Sequence, residues 1–339
     1  MTRVVVAAGG TGGHIYPGLA VADAIRALDP AAEITFVGTP KGLEQKLITR
    51  YPLVLVNMVP WRGGRYAPQF VLATVRATAQ VLRRVRADAV VAMGGYPSLP
   101  TVIAARLRGI PVVIHESGAT AGRANRLAAR FTPNVAVSFA SATFPGRSPR
   151  VTGMPLQLQN LGGDAHAYPK PMVFITGGSQ GSVRLNELAV GLAARWSDSN
   201  THIVLKTGRD KKVDSVGVLR AYDYLDSIGD AYASADVVVT RAGAATVAEL
   251  AVWGLPSVLV PYPHALDNDQ DYNAAVLADV GGAVVVKDAS ATAEVVGPII
   301  EELLADRSKR EAMGAAARTV GHADAAETLA RWVLDLASS

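Results

Sequence analysis

The sequence predicts an α/β protein of two halves, each a parallel sheet covered by helices on both faces. Three observations carry the prediction. Short β-branched runs alternate with alanine-rich helical stretches, and continuous apolar strands of that kind belong to parallel sheets buried on both sides. The alternation restarts at residue 172, after an interval rich in Gly, Pro and polar residues. Both halves open the same way, with a strand, a Gly-Gly-x-x-Gly turn and a helix start. A chain of 339 residues also exceeds one ordinary core, in agreement with two domains.

Taken in order, the strand candidates of the first half are VVVAA (4–8), EITFVG (33–38), LVLVNMV (53–59), AVVAMG (89–94), PVVIHE (111–116) and NVAVSF (134–139). Helical segments fall at 18–28, 42–50, 70–86 and 98–108. The stretch VTGMPLQLQNLGGDAHAYPKP (151–171) is turn-rich and reads as an interdomain linker. The second half offers MVFIT before GGSQGS (172–182), THIVLKTG (201–208), ADVVVTRAG (235–243), PSVLVPYP (256–263) and GAVVVKD (282–288). The expected division is a first domain over 1–155, a linker over 156–170 and a second domain over 171–339, with the last helix able to return to the first. Each half reads as Rossmann-like, and ligands of such sheets bind beyond the carboxyl ends of the strands. Two halves facing each other would set their glycine loops across one cleft.

Composition narrows the chemistry. Half of the residues are hydrophobic and 18% are charged, as in a packed soluble protein. With no cysteine, disulfides, a thiolate nucleophile and cysteine-ligated metal are excluded. The opening MTRVVVAAGG reads as a first strand rather than a signal peptide. The longest apolar stretch, 89–105, is broken by Gly94, Gly95, Pro97 and Pro100, so no transmembrane helix is expected. The net charge of +4 hides an asymmetry: residues 1–150 carry 18 Lys/Arg against six Asp/Glu, and the remainder 15 against 23. The first half is therefore expected to meet something anionic, such as phosphates or an acidic membrane surface. The basic residues are not interleaved with aromatics and no nucleic-acid motif is present, so nucleic acid is not an expected partner.

The glycine loops carry the chemistry. Gly9, Gly10, Gly12 and Gly13, with the Thr11 hydroxyl, let a backbone approach a ligand closely and expose helix N–H groups to an anion. Gly177, Gly178 and Gly181, with Ser179 and Gln180, repeat the arrangement. Tight strand–helix turns need glycine for steric reasons alone, so the matched pair says more than either loop. A dinucleotide site is excluded, because the second strand ends FVGTP without an acid, and neither loop closes in the Gly-Lys-Ser/Thr of a P-loop. In RAGAATVAELAVWGLP (241–256), Ala244, Ala245 and Thr246 leave space and backbone donors for a phosphate, and Glu249 can accept two ribose hydroxyls or simply favour a helix N-terminus. In PHALDNDQDYNAA (263–275), Asp269, Gln270 and Asn273 can bond sugar hydroxyls. The Asp267-x-Asp269 pair could hold a divalent metal, though the patch reads more simply as a polyol-binding loop. His14 can act as a base, hold a phosphate when protonated, or be structural. Glu116, after His115 at a strand end, can take a proton or cap the next helix.

At this point GGTGGHIYPGLAVADAI, GGYPSLP, IPVVIHE, GGSQGS, ADVVVTRAGAATVAEL and GLPSVLVPYP, in that order along essentially the whole chain, are similar to the MurG-type UDP-N-acetylglucosamine transferases. The resemblance implies a GT-B fold, with the acceptor on the first domain and the nucleotide sugar mostly on the second. It implies metal-independent, inverting transfer of GlcNAc from UDP-GlcNAc, with no cofactor. The implied acceptor is a polyprenyl-diphosphate-linked MurNAc-pentapeptide at the inner face of the cytoplasmic membrane. By the same resemblance Thr11, Gly12 and Gly13 match the loop at the transferred sugar and diphosphate, and His14 the histidine there. Ser179 and Gln180 match the nucleotide loop, and Leu225 the residue whose backbone meets uracil. Ala244, Ala245, Thr246, Val247 and Glu249 match the phosphate-and-ribose segment, and Gln270 the glutamine that reads GlcNAc hydroxyls.

Three positions depart from the pattern. Gly118 stands where the family has Asn, Gln157 where it has an arginine meeting the donor diphosphate, and Asp269 where it often has Gln or Glu. They keep two neighbouring readings in view: a related transferase of antibiotic biosynthesis with another acceptor or sugar, and a UDP-sugar epimerase on the same fold. A binding protein without catalysis is a third. The segment 61–86 sets Trp61, Tyr66 and Phe70 beside Arg62, Arg65, Arg76, Arg83, Arg84 and Arg86, which fits either peripheral contact with an anionic membrane or an amphipathic helix on the sheet.

Overall fold

The computed structural model describes residues 1–57 and 68–339. It divides into two compact units, Met1–Gln157 with Ala323–Ser339, and Leu158–His322.

The first unit runs β1 (Arg3–Ala7), α1 (Gly12–Leu28), β2 (Glu33–Gly38), α2 (Glu44–Leu47), β3 (Leu53–Leu55), α3 (Pro68–Arg84), β4 (Ala89–Ala92), α4 (Ser98–Leu107), β5 (Val112–Glu116), α5 (Arg123–Ala128), β6 (Asn134–Val137) and β7 (Arg150–Val151). The strands form one parallel sheet in the order β3-β2-β1-β4-β5-β6-β7. Alternation along β1 builds two cores. Val5 and Ala7 face one side with Val90, Val112 and Ile114. Val4 and Val6 face the other with Ile15, Leu19, Val91, Leu329 and Val333. Full burial of each such aliphatic side chain contributes roughly 1.5–3 kcal/mol. The glycine at position 18 brings α1 close to the sheet, since a Cβ there would stand 3.1 Å from the Ala8 Cβ.

The second unit repeats the plan with β8 (Met172–Thr176), α6 (Val183–Arg195), β9 (His202–Lys206), β10 (Leu219–Tyr222), α7 (Ile228–Ser234), β11 (Val237–Thr240), α8 (Ala244–Trp253), β12 (Ser257–Leu259), α9 (Asp269–Ala278), β13 (Ala283–Val285), α10 (Ala293–Ala305) and α11 (Arg307–Arg318). Its parallel sheet is ordered β10-β9-β8-β11-β12-β13. The chain ends in α12 (Ala325–Ala337), whose Leu329, Ala330 and Val333 enter the first unit's core beside α1. In both sheets the strand order reverses at one point, between β1 and β4 and between β8 and β11. Ligands of open α/β sheets bind at such switch points.

Two differences from the sequence expectation matter. The first helix begins at Gly12 rather than at residue 18, which puts His14 in its first turn. The segment after 150 contributes β7 and a short 3-10 turn at Leu158–Asn160. Of the basic, aromatic-tipped segment, Trp61, Arg62, Arg65 and Tyr66 lie outside the described residues. Among the described residues no helix is long and apolar enough to cross a membrane.

Candidate functional site

In the first unit the candidate groups gather where β1 and β4 end side by side. Gly9 and Gly10 carry the chain out of β1, and Thr11, with extended backbone (φ −128°, ψ 162°), precedes α1 without a side-chain cap. The first amides of α1 and the positive end of its dipole are therefore available to an anion. Thr11 and Gly13 are exposed, Gly12 and His14 half-buried.

The imidazole of His14 lies against the Gly94–Gly95 turn. A Cβ at Gly94 would stand 2.6 Å from His14 Cδ2, and one at Gly95 2.2 Å from the Gly9 carbonyl oxygen. Both glycines also take left-handed φ, 97° and 77°, so the turn needs glycine for space and for conformation. Ser98 locks it, its Oγ accepting from the Gly94 amide at 2.8 Å. His14 is half-buried, yet enough protein surrounds it that burial pushes its pKa below the usual value, opposed by the Gly9 backbone. The ring is thus neutral at pH 7, the form a general base requires. Thr11 Oγ1 lies 3.4 Å from His14 Nδ1.

At the end of β5, His115 is fully buried with Nε2 3.0 Å from the Gly153 carbonyl oxygen, and its Nδ1 has no partner among the described residues. Burial holds it down at about 4. The Glu116 carboxylate accepts from the amides of Gly118 (3.0 Å) and Gly122 (2.9 Å) and from Asn125 Nδ2 (2.9 Å). Burial raises its pKa, and those bonds oppose the rise. The three bonds wrap the 117–122 loop around the carboxylate, so this geometry uses Glu116 to hold a loop. A Cβ at Gly118 would meet nothing closer than 3.4 Å.

The second unit places its candidates in the same way. The loop after β8 crosses the loop after β9 at Gly181, where a Cβ would stand 2.1 Å from the Thr207 carbonyl oxygen. Ser182 caps α6, accepting from the Leu185 amide at 3.3 Å. Ser179 and Gln180 are exposed at the tip. Gly243 precedes α8 without a side-chain cap, so the amides of Ala244, Ala245 and Thr246 have no side-chain partner from that position. Val247 and Glu249 point inward. Glu249 Oε1 accepts from Asn160 Nδ2 (3.0 Å) and Oε2 from the Tyr232 hydroxyl (2.9 Å). Burial raises its pKa, and both bonds oppose the rise. Gln270 Oε1 accepts from the amides of Ala242 (3.1 Å) and Tyr262 (2.9 Å), while Asn273 Nδ2 donates to the Ala242 carbonyl (3.1 Å). The two side chains clamp the backbone of residue 242, and the Gln270 amide N–H groups remain as donors. Asp269 is exposed at the start of α9, and burial on one side raises its pKa. Leu225 is buried between β10 and α7. Among the described residues no group of three or more His, Cys, Asp or Glu gathers as metal ligands would.

Sequence reasoning does not single out Arg241, which the structure makes a tie between four strand ends. Its buried guanidinium donates to the carbonyls of Val260 (3.0 Å) and Pro261 (3.2 Å) and to Ser182 Oγ (2.9 Å), and pairs with Asp288 at 2.6 Å. Lys206, also unforeseen, donates to the Gly178 carbonyl at 3.0 Å, and burial lowers its pKa. A lone Arg or Lys at a strand end carries no signal of such a bond in sequence.

The glycosyltransferase family 28 N-terminal domain matches residues 4–137 and the corresponding C-terminal domain residues 172–329. The chain is 42% identical over 360 residues to a UDP-N-acetylglucosamine–N-acetylmuramyl-(pentapeptide) pyrophosphoryl-undecaprenol N-acetylglucosamine transferase of Nocardioides sp., covering 98% of each chain. It is 38% identical to the enzyme of the same description from Nocardia farcinica, covering 97% of this chain and 94% of that one. The crystal structure of Acinetobacter baumannii MurG matches with a TM-score of 0.82 at 28% identity, covering 99% of this chain and all of that one. Both Rossmann-like sheets fit the GT-B fold of these transferases. The chain belongs to glycosyltransferase family 28 and, within it, to the MurG-type UDP-N-acetylglucosamine transferases.

Proposed function

We propose that this protein moves GlcNAc from UDP-GlcNAc to the MurNAc hydroxyl of a polyprenyl-diphosphate-linked MurNAc-pentapeptide, with inversion and without metal. This is the step from lipid I to lipid II in peptidoglycan synthesis. The observation that carries the mechanism is the neutral His14 imidazole, seated on the Gly94–Gly95 turn beside the open N-terminus of α1. His14 takes the proton of the acceptor hydroxyl as that oxygen attacks C1 of the sugar, and the C1–O bond to UDP breaks. The amides at Thr11, Gly12 and Gly13 receive phosphate. Glu116 keeps the neighbouring loop in shape and is not the base, because backbone and Asn125 donors occupy its carboxylate.

In the second unit, the α8 N-terminus at Ala244, Ala245 and Thr246 and the loop at Ser179 and Gln180 take the donor diphosphate, stabilising the leaving UDP in place of a metal. Glu249 receives the ribose hydroxyls, Leu225 meets uracil through its backbone, and the free amide of Gln270 donates to the GlcNAc hydroxyls. The protein works at the cytoplasmic face of the membrane. The exposed Val71 and Leu72 on α3, beside Arg76, Arg83 and Arg84, support a peripheral contact with anionic lipid. The test is UDP release from UDP-GlcNAc with chelator present and a water-soluble, short-chain acceptor. Release that depends on the acceptor supports the reading; release without acceptor would mark a hydrolase, conversion of UDP-GlcNAc to another UDP-sugar without release an epimerase, and neither from folded protein another donor or acceptor.

A further inference from the structure

We propose that Glu44 is a positioning residue for His14, acting through the single peptide unit between Gly9 and Gly10; the proposal rests on the reading of His14 as the base. Glu44 is fully buried at the start of α2. Its Oε1 accepts from the Gly10 amide (3.1 Å), the Thr39 amide (2.9 Å) and the Thr39 hydroxyl (3.0 Å). Three glycines wall the carboxyl group. A Cβ at Gly9 would stand 2.2 Å from Oε1, one at Gly42 1.9 Å from Oε2, and one at Gly38 2.7 Å from Cγ. A larger residue at any of the three would evict it.

The amide that Glu44 holds and the carbonyl that His14 meets belong to one plane. Gly10 N–H and Gly9 C=O are the two ends of the same peptide, which rotates as a rigid unit. Glu44 grips the N–H end; at the other, the Gly9 carbonyl oxygen and His14 Nδ1 crowd the same point beside Gly95, 2.2 and 3.4 Å from where its Cβ would stand. A ring N–H given to that carbonyl fixes the tautomer and leaves the opposite nitrogen as the base. Gly10, at φ 87°, is in a region where a peptide can turn over easily, so an anchor is needed. In dinucleotide-binding Rossmann domains a carboxylate ends the second strand and faces a ribose; here that strand ends FVGTP without one. Glu44 arrives instead from α2, is buried under the glycine loop and takes the Gly10 donor. Around the His14 ring, His115 at the end of β5 is the titratable neighbour, and it stays neutral down to about pH 4.

The experiment compares E44A, E44D and E44Q with wild type for kcat, both KM values and the acid limb of kcat/KM. Gln keeps an acceptor oxygen at full reach; Asp is one methylene short. Losing the Gly10 anchor should lower kcat roughly 10- to 100-fold in E44A and E44D, with the KM for UDP-GlcNAc within about twofold. It should also move the acid limb to lower pH, because the Gly9 carbonyl raises the His14 pKa. E44Q should restore most of kcat. Wild-type kcat in E44D, equal losses in E44Q and E44D, or a kcat loss with an unmoved acid limb would each overturn the proposal. Should E44A not fold, E44D against E44Q decides. H14A, run alongside, separates the premise: wild-type kcat in H14A removes the base reading and Glu44's role with it. An inactive H14A with unaffected Glu44 variants removes the Glu44 proposal alone.

Discussion

Acidification should destabilise the first unit through His115, at the end of β5. Its ring is fully buried, Nε2 is 3.0 Å from the Gly153 carbonyl, and a second proton would sit on Nδ1, which has no acceptor among the described residues. Burial lowers its pKa from 6.5 to about 4. Between those values the unfolded chain binds the proton and the folded one does not, so stability rises with pH across that window and is lost as pH falls. At about 1.4 kcal/mol per unit, roughly 2.5 kcal/mol disappears between pH 7 and 4.5 and about 3 kcal/mol once both states are protonated. Other groups contribute to acid unfolding, among them Glu301, which Arg195 and Trp196 hold down at about 2. Urea unfolding of wild type and H115Q over that pH range removes them by difference, since Gln retains a donor for Gly153. The wild type should lose about 2.5 kcal/mol more than H115Q by pH 4.5. Equal losses would refute the assignment of a neutral, buried His115.

Three further outcomes follow from the geometry. H14A should lower kcat by roughly 10²- to 10⁴-fold with donor affinity little changed, and the wild-type acid limb should lie below pH 6.5, since burial lowers the His14 pKa; steady-state kinetics against pH measures both. Y232F removes the hydroxyl that donates to Glu249 Oε2 at 2.9 Å, so it should cost about 1–3 kcal/mol in urea unfolding and raise the KM for UDP-GlcNAc. G118N should change stability in urea unfolding by no more than about 0.5 kcal/mol, because its Cβ meets nothing closer than 3.4 Å and the backbone is not left-handed.

Both sheets were legible because their strands are short apolar runs, and the glycine turns marked the switch points. Two features were hidden for local reasons. β10, LRAY, buries only Leu219 fully and lacks an apolar run. The start of α1 at Gly12-Gly13 contradicts helix propensity, which disfavours glycine. Site residues were legible as types at strand ends, but their partners were not. Glu249 reads as a ribose acceptor, but only the folded chain shows that Asn160, 89 residues away, also donates to its Oε1. Gln270 reads as a sugar contact, but only the fold shows that its oxygen holds the Ala242 and Tyr262 amides, so that its N–H groups are what it offers a sugar. Glu44, in GLEQKL, looks like an ordinary surface acid of a short helix. Only the folded chain brings Gly9, Gly38 and Gly42 around it.

The central claim is the identity of the product. Purified protein, UDP-GlcNAc and a short-chain MurNAc-pentapeptide diphosphate lipid should be incubated with chelator, and the product analysed by mass spectrometry and by NMR of the anomeric proton. The account predicts one added N-acetylhexosamine, β-linked to MurNAc, in wild type and its near absence in H14A. An α-linked product, transfer that requires added metal, or an unmodified acceptor with folded enzyme would contradict it.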